Sequence, residues 1–184
     1  LPTMSAVSNA CFKVNYFLFA PMEGFSICAA TLVGQAQGRG DSAAAHRDAM
    51  RTLSLGLLLV AVLSALAVVF YRPILSLFAS PGVRLSTFYA LGFWLFLLMA
   101  AWQVFDATDV IVSGALKGAG DTHFVMWWMT FCAFGLWLPL VWAVAKWHNT
   151  MTALWGTMVV YVVVICAGTL VRWYNGGWKR IKLV

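Results

Sequence analysis

The sequence predicts an all-α membrane protein, a polytopic bundle of five transmembrane helices. Its 184 residues are 62% hydrophobic and only 10% charged, and the mean hydropathy is +0.85. A typical soluble domain is roughly 45–50% apolar and about 25% charged, so a soluble chain of this size cannot hide so much apolar surface. The second observation is that the apolar residues form long continuous runs. A membrane β-barrel would instead show alternating segments of about ten residues.

Five of these runs reach the length of about 20 residues that a helix needs to cross a bilayer. We expect helices at about residues 10–35, 52–70, 85–113, 124–145 and 151–171. The connections between them are short and polar. Asp41 or Ser42 can cap a polar lead-in to the second helix, and Pro81-Gly82 predicts a turn before the third. Pro139 in LWLPLVW predicts a kink in the fourth helix.

The basic residues predict how the bundle is oriented. Five crossings place successive loops on alternate sides of the membrane. One side holds eight basic residues, Arg39, Arg47, Arg51, Lys117, Arg172, Lys179, Arg180 and Lys182. The other side holds Arg72, Arg84, Lys146 and Lys13. Because the positive side is normally the inner one, we expect a cytoplasmic C-terminus. The net charge of +6 is then a topology signal, and we expect no nucleic-acid partner.

One internal repeat stands out, because GQAQGRGD (34–41) and GALKGAGD (114–121) share the pattern G-x-x-x-G-x-G-D. Two glycines four residues apart allow helices to approach closely. A further glycine can form a left-handed helix cap, and the aspartate can cap the following helix. The glycines to which we assign a structural or gating role are therefore Gly34, Gly38, Gly114, Gly118 and Gly120.

Two acids interrupt the apolar third helix, in the stretch FDATDVIVSGALKGAGDT (105–122). A carboxylate inside the bilayer costs about 2.5–3.5 kcal/mol on insertion scales and usually faces a cavity or a partner. Asp106 and Asp109 share a broad face with Gln103 and Ser113 at helical spacing. Two carboxylates this close need not both ionise, so the pair can carry a proton or, deprotonated, hold Na+. Alternatively, the helix reaches the membrane–water interface at this point and both carboxylates are hydrated.

A third acid, Glu23, lies midway along the first helix in FLFAPMEGFSICAATLV. Pro21 removes a backbone hydrogen bond and bends the helix, and Gly24 leaves room beside the bend. A bent helix with an adjacent acid is a common way to build a site within a membrane protein. The alternative is a structural kink beside which Glu23 extends to the membrane surface. Lys13 and Asn15 are interpreted as interface residues near the end of this helix.

We expect no enzyme activity and no catalytic residues. The sequence contains no nucleophile elbow, phosphate loop or zinc signature, and its four cysteines lack metal-site spacing. The pair Asp106 and Asp109 also resembles the Mg²⁺-diphosphate motif of a membrane prenyltransferase, but a second acidic motif with nearby basic groups is not evident. We therefore expect no cofactor and no metal, apart from a coupling ion at Asp106.

Several of these motifs together resemble the multidrug and toxic compound extrusion (MATE) family. LVGQAQGRGD (32–41) is similar to the family signature LVGQ-x-x-G-x-G-D, and the stretch 105–122 is similar to F-D-A…G-x-L-R-G-x-G-D-T, with Lys117 in place of the usual arginine. LPL (138–140), ALWGT (153–157) and Arg172 resemble motifs of the last two helices. The resemblance covers almost the whole chain, in order and spacing.

The resemblance implies a two-lobed fold of twelve helices around a central cavity, which exports drugs and other organic cations across the cytoplasmic (inner) membrane in exchange for H+ or Na+. The chain looks like helices eight to twelve, a partial C-terminal lobe spanning residues 1–184. Seven further N-terminal helices are then expected in a longer gene product, because transport needs one lobe to rock against the other. The expected partners are the lipid bilayer and small organic cations.

The same resemblance ranks the three acids. Asp106 falls on the family's acid of the tenth helix, and we expect H+ or Na+ to bind there and lower the affinity for substrate. Asp109 lies where glutamine is common, and Glu23 where most members lack an acid, so both are secondary candidates. Two alternatives remain open. The chain can be a truncated, non-transporting remnant, or part of an exporter of lipid-linked or metabolite substrates.

Overall fold

The computed structural model describes residues 2–78, 85–147 and 150–181, and within this part all regular structure is helical. Pro81-Gly82, Arg84 and Lys182 lie outside the described residues. The elements are α1 (Pro2–Gly38), α2 (Ser42–Val69), α3 (Tyr71–Ser76), α4 (Leu85–Gly118), α5 (Thr122–Thr130), a π-helical segment (Phe131–Trp137), α6 (Leu138–Trp147), α7 (Met151–Tyr174) and a short 3-10 helix (Gly177–Arg180).

Five helical stretches of the described chain are long and apolar enough to cross a membrane. They are Val7–Gly38, Ser42–Val69, Phe88–Gly118, Thr122–Trp147 and Ala153–Tyr174. The predicted fold class, an all-α bundle of membrane-spanning helices, is therefore confirmed. Several helices extend beyond the residues expected from hydropathy. The polar lead-in before residue 52 continues as part of α2, and α4 continues past residue 113 to Gly118, because caps rather than the last apolar residue end a helix.

Helix α4 lies at the centre of the bundle, in contact with α1, α2 and α7. Its closest approach is to α1, at positions without a side chain. A methyl group at Gly114 would clash with the backbone of Ser26, and one at Gly118 would clash with the backbone of Ala30. On the other helix, a Cβ at Gly34 would lie 3.2 Å from the Gly118 carbonyl oxygen. These three glycines therefore allow the two helices to approach closely.

Of two other glycines, Gly38 was expected to serve close packing and does not, whereas Gly24 was expected to leave room beside the bend at Pro21. The region around Gly38 is open, and a methyl group there would meet nothing within 4 Å, because α1 ends at this exposed residue. The same holds for Gly24, which lies on the exposed side of α1. Ser26 contributes a hydrogen bond between α1 and α4, because its hydroxyl donates to the Val110 carbonyl oxygen at 2.9 Å.

The two copies of the glycine motif end their helices in the same way. Gly40 and Gly120 have φ angles of +75° and +88°, the left-handed conformation expected of a helix cap. In each copy, the glycine N–H donates to the carbonyl three residues back, and the N–H of Asp41 or Asp121 donates five residues back, all at 2.9–3.0 Å. Both motifs lie at the same end of the bundle, which we call the motif end.

The aspartates of the two motifs differ in role. Asp41 is exposed and accepts a hydrogen bond from the Ala44 N–H at 2.8 Å, which confirms its predicted helix-capping role. Asp121 precedes α5 but its side chain makes no capping hydrogen bond. It is buried and receives Nε and Nη2 of Arg172, at 2.7 and 3.3 Å. Arg172 also lies over the Phe124 ring, 5.0 Å from its centroid. The capping prediction is thus wrong for the second copy.

This difference predicts unequal effects of the same substitution in the two motifs. Asp121→Asn should lower the stability of the full-length protein by about 3 kcal/mol, near the low end of the cost of breaking a buried ion pair, because the Arg172 side chain is 36% exposed. Asp41→Asn is the matched control and should have almost no effect, since asparagine caps helices as well as aspartate. Thermal unfolding in detergent measures both, and equal midpoints would contradict the assigned roles.

The two prolines affect their helices differently. Helix α1 continues through Pro21 without interruption, so Pro21 does not break it into two helices. Before Pro139 the chain instead forms the π-helical segment Phe131–Trp137, and the Leu138 N–H donates five residues back to Ala133. Proline has no N–H to donate and its ring crowds the preceding turn, and a wider turn relieves this crowding. Pro139 is therefore accommodated by a change of helix type, at the segment that faces α7.

At the motif end, the residues after α7 fold back beneath α1 and α2. Trp178 is fully buried and stacks on Trp173 with 4.3 Å between ring centroids, and His46 of α2 also stacks on Trp173, with 5.9 Å between centroids. The Gln37 amide donates to the Ile181 carbonyl oxygen at 3.1 Å. These contacts join the end of α7 to the first two helices and fix the geometry of the motif end.

Candidate functional site

Asp106 lines a cavity of about 300 Å³ between α1, α4 and α7. The carboxyl group lies on α4 and is half-buried. Four residues of α1 and three of α7 supply most of the remaining wall, and five of the lining residues are aromatic. The full set is Phe12, Asn15, Tyr16, Phe19, Trp102, Asp106, Met158, Tyr161 and Val162. The structure thus places the first-ranked sequence candidate in a cavity rather than against lipid.

A stack of three aromatic rings stands behind one wall of this cavity. The Trp155 ring lies between those of Phe12 and Trp102, with centroids 5.1 Å away on each side and interplanar angles of 21° and 22°. Trp155 is almost fully buried, and its indole N–H donates to the Ser8 hydroxyl at 3.2 Å. The hydrogen bond and the stacking hold these rings in place. A fixed aromatic face of this kind can contact a cation.

Asp109 occupies a different environment from Asp106. It is only 4% exposed and lies in the contact between α4 and α7. The Thr169 hydroxyl lies 2.9 Å from its Oδ1 atom, and the Ser113 hydroxyl lies 3.5 Å from the same atom. The alternative that this acid is wet at a membrane surface is therefore wrong, because neighbouring helices cover it. Burial, which we expected to favour Asp106, is in fact greater at Asp109.

Glu23 does not belong to this cavity in the described chain. Its position follows Phe12, Tyr16 and Phe19 along one face of α1, at helical spacing, and those three residues line the cavity while Glu23 lies beyond them and is exposed. Asn15 was interpreted as an interface residue, and the structure places it beside Asp106 in the cavity lining. Its side-chain oxygen is buried without a hydrogen-bond partner among the described residues.

Neither membrane acid has a basic partner in the part of the chain that the structure describes. The ion pairs found there are Arg172 with Asp121 and the long, exposed contact of Arg51 with Asp48. An unpaired carboxylate in a low-dielectric region attracts a cation strongly. The cavity at Asp106 therefore combines a carboxylate and an amide oxygen with aromatic rings, a set of groups that suits a proton, a small hard cation or an organic cation.

Sequence reasoning missed the residues that α7 contributes. Tyr161 closes the cavity and Thr169 contacts Asp109, yet neither was singled out. A weak signal was present, because the buried face of α7 follows helical spacing through Val162, Ile165 and Thr169, and a threonine on an otherwise apolar buried face needs a partner. Gln103, which we placed on the same polar face, is fully buried with no partner for either amide atom among the described residues.

A family model and several curated proteins match this chain. The family model MatE matches residues 3–143. The probable multidrug resistance protein NorM of Pasteurella multocida is 28% identical over 165 residues, and the NorM of Rhodopseudomonas palustris is 26% identical over 181 residues. These matches cover 87% and 94% of this chain, but only 35% and 37% of the two relatives.

A third relative agrees with these two. The multidrug resistance protein MdtK of Yersinia pseudotuberculosis is 34% identical over 134 residues, which is 71% of this chain and 28% of the relative. The chain therefore spans about a third of the length of the curated relatives that it matches.

Proposed function

The chain belongs to the MATE family, and from this premise we propose that it forms helices eight to twelve of a transporter that exports small organic cations in exchange for H+ or Na+. The observation that carries the proposal is the position of Asp106 in an aromatic cavity. The names of the relatives, multidrug resistance proteins, support drugs as substrates. We place the transporter in the cytoplasmic membrane, with the motif end and the C-terminus on the cytoplasmic side.

The cavity provides two kinds of attraction for an organic cation. The faces of Trp102, Tyr16 and Tyr161 offer cation–π contacts, each about 0.5–2 kcal/mol depending on desolvation. The Asp106 carboxylate offers a direct charge interaction, which is stronger in a low-dielectric cavity than in water. Aromatic contacts tolerate many substrate shapes. A single carboxylate among several aromatic rings therefore supports broad specificity for flat or apolar cations.

Exchange follows if the coupling ion and the substrate compete for Asp106. A proton on the carboxyl group removes the negative charge, and a bound Na+ neutralises it, so either event weakens the attraction for a cationic substrate. A ligand shifts a conformational equilibrium only by its difference in affinity between the two states. Asp106 can provide that difference, because it lies where α1, α4 and α7 meet and any change in its charge acts on all three helices.

Export driven by an ion gradient is the direct test. The full-length protein that contains this chain should be reconstituted in vesicles with a fluorescent organic cation, and a proton gradient and a sodium gradient should be imposed separately. We expect flux with one of the two gradients and none after an ionophore collapses it. Flux that is the same with and without either gradient would contradict coupling. The absence of any flux under all conditions would favour the non-transporting alternative.

A further inference from the structure

Asp109 has a hydrogen-bond environment that depends on where its proton is. The Thr169 hydroxyl oxygen lies 2.9 Å from Asp109 Oδ1, and also 2.9 Å from the Cys166 carbonyl oxygen and 3.2 Å from that of Ile165. Thr169 is fully buried. Its hydroxyl therefore has three acceptors nearby, of which two lie at the same short distance.

A threonine hydroxyl has one proton, and an ionised carboxylate only accepts hydrogen bonds. If Asp109 is ionised, the Thr169 proton serves either the carboxylate or the Cys166 carbonyl oxygen, and the other 2.9 Å contact is repulsive. If Asp109 is neutral, its carboxyl O–H donates to Thr169 Oγ1, and Thr169 donates to the Cys166 carbonyl oxygen. Only the neutral acid makes both short contacts hydrogen bonds.

The charges around Asp109 agree with this assignment. No basic side chain pairs with it in the described residues, and Lys117 lies two turns further along α4 and is exposed. An unpaired charge buried among helices costs several kcal/mol. The titratable groups near Asp109 on α4, the π-helical segment and α7 are Asp106, Lys117, Cys132, Tyr161 and Cys166, and Glu23 of α1 lies near Asp106.

We propose that Asp109 is a second proton-binding site, separate from Asp106, in which the neutral carboxyl group donates to Thr169 and thereby holds α7 against α4. Asp109 does not line the cavity of Asp106, and the surrounding helices cover it. The two acids, although three residues apart, then have different tasks. Asp106 exchanges ions with the cavity, and Asp109 keeps its proton and stabilises the contact between two helices near the motif end.

Infrared difference spectroscopy tests the proposal, because a protonated carboxyl group has a carbonyl stretching band that a carboxylate lacks. The full-length protein in lipid vesicles at neutral pH, without substrate, should show such a band, and Asp109→Asn should remove it. Thr169→Val should keep the band but shift it to higher frequency, because the carboxyl group loses its hydrogen-bond partner. Thr157→Val is the matched control, since Thr157 is a buried threonine of α7 whose hydroxyl donates to the Leu154 backbone carbonyl.

Four results would overturn the proposal, and the fourth is loss of the band in Asp106→Asn. The band can be missing at neutral pH, it can survive Asp109→Asn, or it can disappear when Na+ is added, which would make Asp109 a sodium site. Asp106→Asn must leave the band of Asp109 in place. The infrared measurement is made without substrate, so its outcome does not depend on export. A transporter that fails the flux test but shows the band would contradict the proposed function alone.

Discussion

Asp106→Asn in the full-length protein is expected to reduce gradient-driven export by about 100-fold, while the amount of protein in the membrane stays unchanged. Coupling between two ligands typically amounts to about 1–3 kcal/mol, or roughly 5–150-fold in affinity. If Asp106 is the group for which ion and substrate compete, its neutral amide removes this coupling. The expected loss is therefore a loss of gradient-driven export. Residual downhill leakage of the substrate can persist.

The substitution separates a functional from a structural effect. Asparagine has the shape of aspartate, and Asp106 makes no salt bridge or side-chain hydrogen bond within the described residues that the change would break. The cavity walls should therefore remain packed. Binding of a fluorescent cation to the purified variant should become weaker and lose its dependence on pH or Na+, whichever ion drives the wild-type protein.

Two acids outside the cavity, Glu23 and Asp41, provide controls for this result. Glu23→Gln changes an acid that lies outside the cavity in the described chain, so it should affect export much less than Asp106→Asn. Asp41→Asn removes an exposed charge at the motif end and should leave export at the wild-type level. Wild-type export by Asp106→Asn, or its abolition by Glu23→Gln alone, would place the coupling site elsewhere.

The fold class was predictable because membrane helices leave a strong mark in composition and in the length of apolar runs. The helix ends were less predictable. Hydropathy marks the part of a helix that lies in lipid, whereas caps such as those at Gly40 and Gly120 mark where the backbone turns. The glycine motif itself predicted these caps correctly. It did not predict that Asp121 pairs with Arg172, because the two residues are 51 positions apart.

The acids of the site were predictable, and their surroundings were not. A charge inside an apolar run is conspicuous in any sequence, so Asp106, Asp109 and Glu23 were found. Which of them faces a cavity depends on helices more than 50 residues away. Asn15 and Thr169 illustrate this, because each is unremarkable in its own helix and acquires meaning only through its neighbours across the bundle. Helical spacing indicates which residues share a face of one helix, but it does not show which faces of different helices pack together.

Gly118→Ala is expected to lower the stability of the full-length protein strongly, although it adds only one methyl group. The new Cβ would clash with the carbonyl and Cα atoms of Ala30. These are backbone atoms, which cannot rotate away as a flexible side chain can. Relief requires α1 and α4 to separate, which would stretch the hydrogen bond from Ser26 to the Val110 carbonyl oxygen. The cost should reach the upper end of the range for overpacking, about 3 kcal/mol.

Gly156→Ala supplies the opposite expectation from the same chemical change. Gly156 lies within α7, and a methyl group there would meet nothing within 4 Å. Alanine favours a helix interior over glycine by about 0.5–1 kcal/mol, so this variant should be slightly more stable than the wild type. The yield of monodisperse protein in detergent and its thermal unfolding midpoint measure both variants. Because the expected effects differ in sign, a stable Gly118→Ala variant would show that α1 and α4 do not make this contact in the intact transporter.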